Sequence, residues 1–438
     1  MKLRASHLAE ALGGDLRGPD ALVDGASIDS RTVAPGQLFV PIVAERDGHD
    51  FVGGALAAGA AAYLTSRAPT GGSAVVVSDT TAALWALGAH ARSLLPGRVV
   101  GITGSVGKTT VKDLVAGGLS AAMATHATRA SFNNELGVPL TLLDAPDGVE
   151  AVVLELGARF PGDIARLREL TRPTVAVITS IGSAHLEHLG GLDGVRREKE
   201  SLLDDLPDTG HAIVRDADCR PGTRARTRAA FLTFGTDTGD VRASIVGRDA
   251  GLRPTVRIDS PWGVGEVQLS VRGDHQAANA AAAVAAAVCA GAGFDAALAG
   301  VGRAEGSALR GELWRTPSGL RVLDDSYNAN PDSMAAALRA LAELDAPRRV
   351  AVLGEMAELG DGSRAAHRQM AELADSLGIE VVAVGTGAYG GTVMADQDEA
   401  LAVVSALPVD CVVLVKASRS VGLDRLAARL RGEGAGVR

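Results

Sequence analysis

Hydrophobic positions recur at two spacings along this chain, and the switch between them divides it. In residues 5–12 the apolar side chains stand three and four apart, which predicts a short amphipathic helix. Short strand and turn segments follow, including Gly36-Gln-Leu-Phe-Val40. A helical run at 80–95 ends at Pro96-Gly97, a break that reads as a boundary. From Arg98 onward, compact β-branched runs alternate with helical ones. Residues 99–103, 150–156 and 174–179 predict strands, and residues 109–122 and 164–170 predict helices. Residues 211–272 read as antiparallel strands and turns, followed by an Ala-rich helix at 279–292. After Arg310-Gly311 the alternation resumes, with strands at 322–325, 349–353, 380–384 and 411–415 and helices at 331–344, 363–377 and 420–430. Strand–helix alternation of this kind predicts an α/β fold with mostly parallel sheets covered by helices. It divides the chain into a small α/β N-terminal domain (1–95), a central domain (96–311) and a C-terminal, Rossmann-like doubly wound domain (312–438).

Composition narrows the picture. The 438 residues allow roughly two to four domains at about 100–200 residues each. Aromatic residues are 3% and the net charge is −9, so neither an aromatic stacking platform nor a basic surface for nucleic acid is present in the sequence. Cys219, Cys289 and Cys411 are too far apart for metal-ligand spacing and odd in number. The N-terminus has no signal-peptide pattern, and the Ala-rich stretch near 280–290 is too short and too weakly apolar to span a bilayer. A cytoplasmic protein without membrane insertion is expected.

Chemistry concentrates in a few loops. Residues 101–110, Gly-Ile-Thr-Gly-Ser-Val-Gly-Lys-Thr-Thr, join a strand to a helix. Gly104, Ser105 and Gly107 let backbone N–H groups approach phosphate oxygens. Lys108 supplies a cation, and the hydroxyls of Thr109 and Thr110 open the helix, with Thr109 able to ligate Mg²⁺. This is a P-loop signature with Ile102 where the first Walker glycine would stand. Glu155 ends a buried strand beside that loop and can complete a Mg²⁺ shell; its plainer reading is a cap or a surface charge. In open α/β sheets ligands gather beyond the carboxyl ends of strands, and Thr103, Glu155 and Ser180 all fall there. His185, Glu187 and His188 lack zinc-protease spacing and read as loop residues. Lys199, in Arg196-Arg-Glu-Lys-Glu200, reads locally as part of a solvated helix face. Asp274 to Asn279 opens the Ala-rich helix, where capping is the simpler reading. Asp324 to Pro331 joins a strand to a helix and offers acidic and amide ligand groups or, more plainly, a helix start.

Taken in order, these motifs resemble those of the ATP-dependent Mur ligases of bacterial peptidoglycan synthesis. The segments Ser27-Ile-Asp-Ser-Arg31 with Gly36-Gln-Leu-Phe-Val40, 101–110, Ser131-Phe-Asn-Asn-Glu-Leu-Gly-Val-Pro-Leu-Thr-Leu-Leu143, Leu154-Glu-Leu-Gly-Ala158, Ser183-Ala-His-Leu-Glu187, Arg197-Glu-Lys-Glu200, 273–279, 324–334, Val352-Leu-Gly-Glu-Met-Ala-Glu-Leu-Gly360 and Leu414-Val-Lys-Ala-Ser-Arg419 carry the likeness across nearly the whole chain. The runs at 133–139, 324–330 and 354–360 point to the branch that adds D-alanyl-D-alanine. Residues 41–49 are about one residue shorter than the family pattern, and Gln276-Ala277 differs from its usual residues.

The resemblance implies an ATP-dependent carbon–nitrogen ligase using ATP and Mg²⁺, with UDP-MurNAc-tripeptide and D-Ala-D-Ala as substrates, no nucleic-acid partner, and a monomeric state. It implies roles by position. Ser30 and Arg31 would lie near the uridine nucleotide. Asn133, Asn134, Asn328 and Asn330 would contact substrate. Thr109 and Glu155 would hold one Mg²⁺; His185 and Lys199, the latter carbamylated, would serve a second. His275 and Asn279 would approach the nucleoside of ATP, and Arg310 and Asp325 would complete the clamp. Lys108, Lys199 and His185 would be the catalytic groups. Two alternatives stay open from sequence: a paralogous ligase joining another carboxylate and amine, and a P-loop protein that binds nucleotide without catalysis.

Overall fold

The computed structural model describes residues 1–129 and 131–432, so the last six residues of the C-terminal part lie outside the described residues. The strand Val99–Thr103 is buried at every position. Its successive side chains point to opposite faces: Val99 packs into one core, whereas Val100 and Ile102 pack into another. A strand covered on both faces reads as a continuous apolar run, which is what residues 99–103 are.

On one face lie the helices Lys108–Ser120, Gln276–Cys289 and Phe294–Arg303. The middle helix presents Ala277, Ala280 to Ala283 and Ala285 to Ala287, all fully buried, and the chain's abundance of Ala is explained by close helix packing there. On the other face, Leu84, Leu87 and Ala91 of the helix Thr80–Leu94 join Ile164, Leu167 and Leu170 of Asp163–Thr171 in one core. The N-terminal part therefore shares a core with the central sheet.

Among the described residues the central sheet has nine strands. Val99–Thr103 lies between Ala151–Glu155 and Val175–Ile178, parallel to both, with Glu155 paired to Ile102 and Ile178 to Thr103. The phosphate-loop candidate, Glu155 and the loop after Ile178 thus share one sheet edge, as expected. Residues 211–272 correct the sequence reading. His211–Arg215, Ala230–Thr236 and Val241–Arg248 extend the sheet in parallel; antiparallel pairing begins only with Pro254–Ser260 and Gly263–Gln268. Strand direction is set by which neighbour is available for pairing, not by local residue preference.

The C-terminal part builds a six-stranded sheet in the order Glu312–Arg315, Arg321–Asp324, Val412–Lys416, Arg349–Leu353, Glu380–Val384, Thr392–Met394. Among the described residues only the first pair is antiparallel. The N-terminal part holds a five-stranded sheet and a two-stranded ribbon. No helix among the described residues is long and apolar enough to cross a membrane.

Candidate active site

The loop after Val99–Thr103 turns sharply at two glycines. Gly104 has φ +152°, and a Cβ there would stand 1.9 Å from the Thr179 hydroxyl oxygen. Gly107, at φ +86°, precedes the helix Lys108–Ser120, and its Cβ would press to 2.8 Å from Asn279 Oδ1. Neither position accepts a side chain without movement. The Ser105 N–H donates to the Ser180 carbonyl at 2.9 Å, and the Val106 N–H donates to the Ser180 hydroxyl at 2.9 Å, so the neighbouring strand end braces the loop. Thr110 and Ser105 line the cleft above it. Ile102 is still inside the strand and fully buried, so the missing Walker glycine corresponds to a sheet position, not a turn. Lys108 folds back and donates from Nζ to the Gly104 carbonyl at 2.6 Å; burial pushes its pKa down, against the opposing pull of Glu155.

Glu155 is buried, which removes the surface-charge reading. Its carboxylate accepts from the Thr109 hydroxyl (2.8 Å) and from Asn133 Nδ2 (2.7 Å). Both partners are neutral. A buried carboxylate held by neutral donors lacks a counter-charge in contact, and hydroxyl plus carboxylate oxygen is a donor pair suited to Mg²⁺. The residues fit that ion. No group of three or more His, Cys, Asp or Glu converges as a metal cage among the described residues, so the remaining ligands would come from substrate, water or modified side chains.

Lys199 overturns its local reading. It sits on the helix Leu192–Glu200 but is only 1% exposed. Among the described residues its ammonium makes no ion pair, and burial together with the Lys108 charge pushes its pKa down to about 7. Its neighbour Glu198 is also buried, accepting from the Gly162 and Ile164 N–H groups at the start of another helix. His185 lines the cleft in left-handed backbone, φ +55°, a conformation that costs a residue with a Cβ about 1–2 kcal/mol. Its pKa is lowered chiefly by burial, then by the Lys108 charge. Its Nδ1 is hydrogen-bonded to Glu358 Oε2.

Across the cleft stands the C-terminal sheet. Asp325 follows Arg321–Asp324, and its Oδ2 accepts from Lys416 Nζ at 2.5 Å; Lys416 is 2% exposed and also donates to the Asn328 carbonyl at 2.8 Å. Arg310 stacks on the Tyr327 ring, 4.2 Å from its centroid, and the Tyr327 hydroxyl meets the Ser131 hydroxyl of the central part. His275 makes no cap hydrogen bond at the Ala-rich helix, and Asp274 pairs with Arg248, so the capping reading of 274–279 is corrected. His275 instead lines the cleft beside Asp325 and Lys416, with its pKa pushed down by desolvation. Asn279 Nδ2 donates to Gln276 Oε1. The space enclosed is about 690 Å³, walled by Lys108, Thr109, Glu155, His185, His275, Asn279, Arg310, Asp325 and Lys416, with Trp85 arriving from the N-terminal part.

Three amides named from the sequence have structural work in this arrangement. Asn330 caps the helix Pro331–Glu343, its Oδ1 accepting from the Ser333 N–H at 2.9 Å, as the helix-start reading anticipated. Asn134 Oδ1 accepts from the Gly137 N–H at 2.9 Å at the start of Gly137–Leu143. Asn328 Oδ1 accepts from the Arg419 N–H at 3.3 Å. All three still line the cleft, as does Asn133. Ser30 and Arg31 do not line it: Arg31 is exposed and bound to Asp29 through Nη2 at 2.6 Å. Sequence reasoning assigned no role to Lys416, Tyr327, Arg419 or Glu358. Lys416 had a readable signal, a charged residue ending an apolar strand; Glu358 stood in the family run 354–360, but nothing local showed its contacts, since His185, His188 and Arg159 lie far away in the chain.

Comparison with known proteins agrees with this architecture. Residues 102–287 match the Mur ligase middle domain, and residues 309–419 match the Mur ligase, glutamate ligase domain. The chain is 36% identical to the UDP-N-acetylmuramoyl-tripeptide--D-alanyl-D-alanine ligase of Escherichia coli, over 98% of each protein. It superposes on the crystal structure of MurF from Acinetobacter baumannii with a TM-score of 0.87, at 31% identity and 99% coverage of both chains. It superposes on the MurF ligase of Thermotoga maritima in complex with ADP with a TM-score of 0.79, at 28% identity, covering 94% of this chain and 98% of that one. With a relative this similar over its full length, a braced phosphate loop and a buried carboxylate at one sheet edge, the chain belongs to the Mur ligase family.

Proposed function

We propose that this chain couples ATP hydrolysis to joining D-alanyl-D-alanine to UDP-MurNAc-tripeptide, forming UDP-MurNAc-pentapeptide, ADP and phosphate. The observation that carries the reading is the cleft itself: desolvated Lys108 and buried Glu155 on one wall face Arg310 and the Asp325–Lys416 pair on the other. Full-length similarity to a ligase named for this reaction supports it.

A free carboxylate is a poor electrophile, so it must be activated. The tripeptide carboxylate oxygen attacks the γ-phosphorus of ATP and ADP leaves, giving an acyl phosphate. The dipeptide amine then attacks the acyl carbon, loses a proton, and phosphate departs. Lys108, released from the Gly104 carbonyl when phosphate arrives, neutralises charge on the transferred group. Arg310, near enough to Lys108 to influence it, offers its guanidinium from the opposite wall. Thr109 and Glu155 would hold Mg²⁺, which when bound would screen phosphate charge during transfer. A lysine whose pKa falls to about 7 is substantially uncharged at neutral pH, the form that adds CO₂; this supports carbamylation of Lys199 and its service, with His185, toward a second ion. His275 and Asn279 would meet the nucleoside, and Asn133 and Asn328 the acceptor peptide.

We divide the work among residues 1–95 for the uridine end, 96–311 for ATP and 312–438 for the dipeptide. Ser30 and Arg31, the latter exposed and neither lining the cleft, would reach only the distal nucleotide. A nucleotide-linked substrate and ATP place the reaction in the cytoplasm, and the enzyme acts as a monomer. The test is ADP release by purified protein with each substrate omitted in turn, with mass spectrometry of the product. Release requiring both UDP-MurNAc-tripeptide and D-Ala-D-Ala is expected; release indifferent to the dipeptide would overturn the reading.

A further inference from the structure

The loop 182–188 belongs to the central part, yet acids of the C-terminal part hold it on two sides. Asp332 Oδ2 accepts from the Ser183 N–H at 3.2 Å, and a Cβ at Gly182 would fall 2.2 Å from the same oxygen. Glu358 spreads its carboxylate over three groups: Oε2 meets His185 Nδ1, Oε1 meets Arg159 Nε at 3.0 Å, and His188 Nε2 stands 3.9 Å from Oε1. Arg159 and His185 line the cleft and Glu358 does not. Both partners of the closest contact carry left-handed backbone, His185 at φ +55° and Glu358 at φ +61°. Two side-chain-bearing residues in that region, meeting each other across a boundary between parts, persist only where surrounding contacts over-determine them.

We propose that Glu358 is a positioning residue for the reaction: docking of the C-terminal part seats the His185 ring through Nδ1, so that the phosphoryl-transfer site is complete only while the amine-delivering part is in place. A carboxylate on Nδ1 keeps the ring hydrogen on that nitrogen and leaves Nε2 with the free lone pair. Arg159 holds the second carboxylate oxygen, so Glu358 cannot swing away without losing both contacts. The arrangement ties readiness for ATP cleavage to the presence of the domain that brings the nucleophile, which limits wasteful acyl-phosphate formation.

The ligase reading underlies only the kinetic half of the test. Wild type and Glu358→Gln are labelled with ¹⁵N-histidine and compared at one pH, the His185 signals being assigned by their loss in His185→Gln. The wild type should show hydrogen on Nδ1. Glu358→Gln should lose that tautomer preference, and its kcat should fall about 10–100-fold with little change in KM for the UDP-linked substrate. Glu358→Asp, which keeps the charge but shortens the reach, should fall between the two. Wild-type ring signals in Glu358→Gln would overturn the proposal, whether kcat is unchanged or reduced. Should Glu358→Gln fail to fold, Arg159→Gln tests the clamp from its other oxygen: a weakened Nδ1 tautomer supports the seating, and unaltered signals refute it. A wild type without dipeptide-dependent ADP release would sink the ligase reading, while the ring signals still decide how His185 is held.

Discussion

The two walls of the cleft handle charge in opposite ways. On the central wall, among the described residues, Lys108 bonds only a backbone carbonyl, Lys199 is buried without an ion pair, and Glu155 is held by neutral donors. On the C-terminal wall Lys416 pairs with Asp325, and Arg419, which also lines the cleft, pairs with Asp424 at 2.7 Å. Desolvated, unmatched charge is expensive unless an external charge completes it, whereas matched charge is self-sufficient. Under the proposed function, the central wall would receive phosphate and cation, and the C-terminal wall would frame the second substrate.

Breaking the unmatched wall should have the largest effect on rate. Lys108→Ala should reduce ADP release by about 10²–10³-fold or more while circular dichroism shows an intact fold; substantial residual turnover would remove the P-loop assignment. Lys199→Ala should be nearly inactive and regain activity with short carboxylic acids if a carbamate is the needed group; normal activity in the variant rules the carbamate out. The same lysine makes a stability prediction of opposite sign. Its folded pKa of about 7 lies below the ordinary 10.5, so the folded state binds the proton more weakly and carries a penalty that is full below about pH 7 and fades as pH rises toward 10.5. Lys199→Met should thus raise the melting temperature, by about 1–4 kcal/mol of stability at neutral pH, with the gain shrinking in alkaline buffer.

The matched wall should answer in stability first. Lys416→Met leaves the Asp325 carboxylate without its partner and should cost about 2–3 kcal/mol in urea unfolding, at or below the low end for buried pairs because Asp325 keeps some solvent contact. Lys416→Met combined with Asp325→Leu should recover most of it. If the single variant were as stable as wild type, the contrast between the walls would fail. The smallest effect is expected at Asn330→Ala, about 1 kcal/mol from loss of the helix cap with kcat nearly unchanged. A collapse of kcat/KM at wild-type stability would show instead that Asn330 reads substrate.

The central strands, the phosphate loop and the major helices were legible in the sequence because each rests on local periodicity or on a short run whose backbone needs are self-contained. The strand predicted at 99–103 and the helix predicted at 5–12 match to the residue. Residues 211–272 were misread as wholly antiparallel because strand direction depends on a distant neighbour. The helix Phe294–Arg303 went unread, its periodicity thinned by Gly300 and Gly302.

Lys199 marks the divide most clearly. By sequence it is one of five charged residues in succession, and nothing local distinguishes it from a solvated helix face. Its burial follows from how the helix Leu192–Glu200 packs against Asp163–Thr171 and Leu186–Leu189, and only its resemblance to family members flagged it beforehand. By itself the sequence determined which segments form strands and helices and where a phosphate could sit, since backbone conformation and amphipathic spacing act over a few residues. The tertiary structure decided which charges lose water and which find a partner, since desolvation and pairing depend on what comes to lie within a few ångströms after more than a hundred residues of intervening chain.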